Sequence, residues 1–196
     1  MSSNNILEKL LTKEINLILN NFELLKIEDN KNFKKLCYDS ISSLKKGNKI
    51  IFFGNGGSAS DAQHLATEIT VRYKKNRPAL AAISLSTDTS ALTAIGNDFS
   101  FNEIFSRQIE AIANKGDIIL GITTSGNSEN ILKAFKTANK KKLNSFCFTG
   151  NNGGKVKKLC KNCIIFPKTT TSVTQVMQIA MGQILCDFIE SQMFPN

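Results

Sequence analysis

Ile50-Ile51-Phe52-Phe53-Gly54-Asn55-Gly56-Gly57-Ser58-Ala59-Ser60 sets a short apolar run directly against a glycine- and serine-rich loop that opens a helix-like stretch. An uncharged run this short reads as a buried strand, and the loop as the turn into a helix. The arrangement recurs downstream, where an apolar run ending at Ile122 leads into Thr123-Thr124-Ser125-Gly126-Asn127-Ser128 and a second helix-like stretch. A helix start leaves backbone N–H groups unpaired and carries partial positive charge. Glycines let a phosphate reach that backbone, and Ser and Thr hydroxyls add donors. One such loop alone reads as an ordinary strand-to-helix turn capped by Ser58 or Ser128. Two in one short chain point to a phosphosugar site.

Outward from the loops the alternation continues. The periodicity predicts strands at 49–53, 80–85, 117–122, 145–149 and 163–166, with helices at 58–72, 87–95, 102–113 and 128–140 between them. Two helices, 6–25 and 33–44, precede this core, and a long one, 171–193, closes it. Short apolar strands alternating with helices imply an α/β fold: a five-stranded parallel sheet in a three-layer α/β/α sandwich, wound by right-handed crossovers, with extra N-terminal helices. In such sheets ligands bind beyond the carboxyl ends of the strands, where both loops emerge. At 196 residues the chain is expected to be one domain, with 1–47 as N-terminal helices, 48–170 as the α/β core and 171–194 as the C-terminal helix.

Composition narrows the function classes. The net charge of +9 arises from 25 basic and 16 acidic residues, with lysines scattered near helix ends, and reads as a solvated surface rather than a direct nucleic-acid footprint. The apolar runs in the core are too short to cross a bilayer, and Met1-Ser2-Ser3-Asn4-Asn5 has no signal-peptide pattern, so a cytoplasmic protein with no membrane association is expected. Five cysteines, an odd number dispersed in apolar runs, read as reduced core thiols. Cys160-Lys161-Asn162-Cys163 has half the spacing of a zinc site but no second pair, and reads as structural. The surplus of apolar positions on the first and last helices, among them Ile6, Leu10, Val173, Met177 and Ile184, predicts packing between subunits.

His64, the only histidine, and Glu68 stand four apart on the helix that follows the first loop and therefore share one face, with Asp61 one turn earlier. Such a pair reads either as a surface contact or as an acid–base or metal-ligand pair. The neighbouring anion pocket favours the functional reading.

Taken together, Gly54-Asn55-Gly56-Gly57-Ser58 with Asp61-Ala62-Gln63-His64, Glu68 and Arg72-Tyr73 resembles the bacterial sedoheptulose-7-phosphate isomerase (phosphoheptose isomerase) family of the SIS, or sugar isomerase, superfamily. Asn76-Arg77-Pro78, Gly96-Asn97-Asp98-Phe99, Phe105-Ser106-Arg107-Gln108, Thr124-Ser125-Gly126-Asn127-Ser128 and Thr149-Gly150 with Gly153-Gly154 continue the resemblance in the family's order. The resemblance implies an aldose–ketose isomerase that converts sedoheptulose 7-phosphate to D-glycero-D-manno-heptose 7-phosphate for heptose and lipopolysaccharide precursors. It also implies a homotetramer with sites at subunit interfaces. Substrate contacts would come from Asn55, Gly56, Gly57, Ser58, Glu68, Asn97, Asp98, Gln175 and a phosphate loop containing Thr123, Thr124, Ser125 and Ser128. His64, Glu68 and Gln175 match family zinc ligands, and Glu68 matches the general base.

The last helix departs from the family pattern. Gln183 stands where the family has a histidine eight positions after Gln175, and Gln178 stands where another histidine is common. An amide neither titrates near neutrality nor binds zinc well, so zinc is expected to be weak or absent, and no nucleotide cofactor is expected. The same departure keeps an alternative open: a non-catalytic SIS tetramer, like the related replication-initiator-associating protein, that binds the initiator protein or senses a phosphosugar. Gly57, Glu68 and Ser125 follow the isomerase pattern instead.

Overall fold

A computed structural model describes residues 3–27 and 31–195. Helices α1 (Ser3–Ile27) and α2 (Lys31–Lys45) lead into strand β1 (Ile50–Gly54) and helix α3 (Gly57–Thr70). Strand β2 (Ala82–Ser84), α4 (Thr89–Asp98) and α5 (Ser106–Ile112) follow. Then come β3 (Ile118–Thr123), α6 (Glu129–Lys140), β4 (Asn144–Thr149), β5 (Asn162–Ile165) and α7 (Thr171–Met193). The five strands form one parallel sheet in the order β2-β1-β3-β4-β5.

β1 and β3 are buried at every residue, which is why their sequences are continuously apolar rather than alternating. Their side chains still divide by parity between the faces. Ile50, Phe52, Ile118, Leu120 and Ile122 join Phe146, Phe148 and residues of α2, α3 and α7 in one core. Ile51, Phe53, Ile119 and Cys147 join α5 and α6 in the other. A sheet with helices on both sides gives the expected three layers.

Two elements differ from the sequence expectation. The helix expected over 102–113 is interrupted: a 3₁₀ turn at Phe101–Glu103 precedes α5, and Ile104 and Phe105 between them are buried at 3% and 1% exposure. Both side chains face the core at that join, where one continuous helix would hold neighbouring residues about 100° apart. β2 is also shorter than the run 80–85, pairing with β1 only over Ala82–Ser84 at the sheet edge.

α7 spans the predicted range and begins at Thr170, whose hydroxyl accepts from the Val173 N–H. Most of its apolar surface is covered within the chain: Val173, Met177, Met181, Leu185, Cys186 and Ile189 are buried. Most of the uncovered surplus lies on α1, where Ile6, Leu7, Leu10, Leu11, Ile15, Leu19 and Leu24 are each more than half exposed, with Ile184 and Val176 left exposed on α7. Among the described residues no helix is long and apolar enough to cross a membrane.

Candidate functional site

The strand order puts a topological switch at β1. The chain leaves β1 for one edge of the sheet and returns to β3 on the other side, so a crevice opens beyond the carboxyl ends of β1 and β3. Both glycine-rich loops emerge there, from adjacent strands.

The first loop turns sharply. Gly56 takes φ 55°, a conformation that disfavours any side chain, and serves as the residue before α3. No side chain caps this helix: Ser58 lies inside it and is buried. Ser128 stands at the cap position of α6 and likewise makes no capping bond. The capping roles that the sequence allows for these two serines are therefore not the ones adopted.

Asn55 holds the two loops together. Its amide nitrogen donates to Asn130 Oδ1 at 2.9 Å, and Asn130 donates back to Asn55 Oδ1 at 2.8 Å. Asn130 is buried in the first turn of α6 and also accepts from the Ile131 N–H. This reciprocal pair is not apparent in the sequence, where Asn130 is one polar residue on a helix. That pair engages one N–H donor and the oxygen of the Asn55 amide.

In the second loop, Thr123 is buried and its hydroxyl accepts from the Gly126 N–H at 3.2 Å, so it shapes the loop from inside. Gly126 has φ 66° and packs on the Gly153 carbonyl, which leaves no room for a side chain. Thr124, Ser125 and Ser128 are half-buried at the loop surface. Asn127 accepts from the Lys155 N–H and ties the loop to the 150–154 turn. From behind, Gln178 of α7 donates to the Thr123 carbonyl at 3.1 Å, while its own amide oxygen is buried without a partner.

α3 and α7 run alongside each other in the same direction. A Cβ on Gly57 would collide with the Gln175 amide, so the absence of a side chain there lets Gln175 lie against the start of α3. Seven residues on, Gly182 packs against Leu65, where an added Cβ would come within 2.5 Å of a Leu65 methyl. Gln183 follows Gly182 and His64 precedes Leu65, so the backbones carrying them are adjacent. His64 Nε2 lies 3.0 Å from Glu68 Oε1, with the two side chains 46% and 23% exposed. One turn earlier Asp61 has a buried carboxylate oxygen without a partner. Burial pushes its acid constant up to about 6, opposed by the nearby His64 charge.

Asn97 and Asp98 sit apart from this group. They are exposed at the end of α4, where the Asn97 amide donates to Asp98. A cavity of about 180 Å³ beside the first loop is lined by Gly54, Asn55, Gly56, Ser86 and Phe101 among others, and by neither of them. A larger cavity of about 550 Å³, between Phe99, Arg107 and Lys141, touches neither loop.

Zinc fits this donor set poorly. Among the described residues no three His, Cys, Asp or Glu side chains converge as a metal-binding group. Asp61, one turn earlier, does not converge with His64 and Glu68, which leaves the amides of Gln175 and Gln183 to complete a tetrahedron, and zinc prefers imidazole, thiolate or carboxylate. All five cysteines are free, buried thiols.

Comparison with known proteins gives a consistent picture. The SIS domain family model matches residues 13–150. The phosphoheptose isomerase of Paramagnetospirillum magneticum is 51% identical over 163 residues, covering 83% of this chain and 85% of that protein. That of Campylobacter jejuni is 49% identical over 170 residues, covering 86% and 88%. The solved structure of phosphoheptose isomerase from Neisseria gonorrhoeae aligns with a TM-score of 0.87 at 34% identity, over 94% of this chain and 99% of that one.

Proposed function

The chain belongs to the phosphoheptose isomerase family of SIS-domain proteins, and from that membership we propose that it interconverts sedoheptulose 7-phosphate and D-glycero-D-manno-heptose 7-phosphate for heptose and lipopolysaccharide precursors. The observation that carries this reading is Glu68, a partly buried carboxylate on the helix that starts at the first glycine-rich loop, 3.0 Å from the sole histidine. An isomerase needs such a group; a scaffold does not.

In the proposed reaction Glu68 takes the proton from C1 of the ketose, beside the carbonyl, to give a cis-enediolate, within which the C1 hydroxyl proton passes to the charged C2 oxygen. The Glu68 carboxyl exchanges its proton with solvent and then protonates C2, which gives the aldose. The phosphate rests on the second loop, on Thr124, Ser125, Ser128 and the uncapped N–H groups of α6, with Thr123 shaping the loop. Asn55, Gly56 and Gly57 cradle the sugar, with the Gln175 amide against Gly57, and the buried Ser58 supports the turn through its N–H bond to the Asn55 carbonyl. Asn97 and Asp98, exposed at the end of α4, reach the sugar from across a subunit boundary. Gln183 donates an amide hydrogen bond to the oxygen that gains charge but cannot transfer a proton.

We read 1–196 as one domain and assign it to the cytoplasm, where its five free thiols stay reduced. It assembles as a homotetramer through the apolar face of α1. Incubating sedoheptulose 7-phosphate with the protein in D₂O tests the enediol step: deuterium enters C2 of the aldose, and Glu68→Gln lowers that exchange by at least about 10²-fold. Unchanged exchange in the variant would remove Glu68 from its role.

A further inference from the structure

Arg77 and Glu190 lie outside the loops and helix face described above, yet among the described residues they form a densely bonded charged group. Their side chains are 2% and 1% exposed, and Arg77 Nε donates to Glu190 Oε2 at 3.0 Å. Glu190 also accepts from three successive backbone N–H groups, those of Tyr73 at 2.9 Å, Lys74 at 2.7 Å and Lys75 at 2.7 Å. The guanidinium reaches further. Its Nη2 donates to the Glu68 carbonyl at 2.8 Å and its Nη1 to the Pro78 carbonyl at 3.0 Å, while the group lies over the Phe194 ring.

The Glu68 contact has a specific origin. α3 stops at Thr70, so the Glu68 carbonyl is among the last four of the helix, which have no partner inside it. Arg77 supplies that partner from a loop which Glu190 anchors to α7. One guanidinium thus joins the backbone of the proposed base to the helix that carries Gln175 and Gln183. A fork of five fixed donors can bond a carboxylate and two carbonyls together; a lysine ammonium is too compact to span them.

We propose that Arg77 and Glu190 are positioning residues for the isomerisation, fixing the end of α3 so that the Glu68 carboxylate stays in register with the amides of α7. This rests on the assignment of Glu68 as base. The clamp stays charged across the working range: burial alone would raise the Glu190 acid constant, but the three N–H groups and Arg77 hold it down to about 2. The flanking charges include Lys74 and Asp187, which pair with each other at the surface, and Lys75, whose ammonium donates to the Phe194 carbonyl.

The test uses the full chain with Arg77→Lys, which keeps a cation beside Glu190, and the double variant Arg77→Met with Glu190→Gln, which removes both charges and leaves neither unpaired. If the wild type turns over sedoheptulose 7-phosphate, the proposal expects kcat to fall at least tenfold in both variants with KM within threefold, at a temperature where both remain folded. Wild-type kcat in either folded variant would overturn it, and so would failure of both to fold, which would mark a purely structural pair. If the wild type shows no turnover, the isomerase reading fails separately. The clamp is then judged by the imidazole NMR signals of His64, the sole histidine and the neighbour of Glu68. A shift in the Lys variant at fixed pH supports the clamp, and an unchanged signal overturns it.

Discussion

Asp61 shows how a single side chain can work against stability beside a functional group. One carboxylate oxygen is buried without a partner, and burial raises the acid constant from 3.8 to about 6. The folded state therefore holds this proton more tightly than the unfolded chain does, so the protonated form is favoured by folding. Stability should fall as pH rises from about 4 to about 6 and stay lower above that. Asp61→Asn removes the charge and should stabilise the protein by about 1–2 kcal/mol at pH 8 and by almost nothing at pH 4, after allowance for partial solvent screening. Thermal unfolding at the two pH values measures this, and an equal shift at both would contradict it. At this scale the sequence is only partly legible. His64 and Glu68 share a helix face by spacing alone, and the structure sets them in contact. Asn55 with Asn130, and Arg77 with Glu190, are pairs whose members lie far apart in the chain. Asn55 stands in the glycine-rich loop and Arg77 in a family segment, but nothing local marks Asn130 or Glu190, because that signal lies in the tertiary contact.

Among the elements, the terminal helix is the most legible, since a polar cap and a long apolar pattern define both ends without help from neighbours. The break between the 3₁₀ turn and α5 is not legible, because Ile104 and Phe105 fit a helical pattern as well as they fit the interrupted one that packing selects. Parity in β1 and β3 is masked for a related reason: both faces are apolar, and only the cores reveal which residue points where. The second loop carries the prediction at this scale. Ser128 makes no capping bond and Ser125 accepts only from the nearby Asn127 N–H. Changing both to Ala should therefore cost less than about 1 kcal/mol of folding stability, yet weaken phosphosugar binding on the order of a hundredfold, because hydrogen bonds to a charged phosphate are lost. Calorimetric titration with a heptose 7-phosphate checks this; unchanged affinity would move the phosphate elsewhere.

For the molecule as a whole, the alternation of strands and helices suffices for a parallel three-layer sheet, whereas the order β2-β1-β3-β4-β5 depends on pairings between distant segments that periodicity does not encode. That order is what brings the two loops together, so the site is legible as two halves before it is legible as one place. The apolar faces of the two terminal helices, alike in sequence, differ in the structure: α7 is mostly covered within the chain, with Ile184 and Val176 exposed, and α1 is left open. In the proposed assembly the row of more than half-exposed Leu and Ile on α1 is the face that meets other subunits. Light scattering at micromolar concentration should give four times the 21.6 kDa chain mass, and a monodisperse monomer would contradict the assembly. The central claim is that this fold, with glutamine at position 183, still performs the isomerisation. Purified protein should convert sedoheptulose 7-phosphate to the aldose, followed by the anomeric proton signals of the product, and should do so without added zinc. Folded protein that binds the sugar phosphate but gives no aldose, with zinc or without it, would contradict the account.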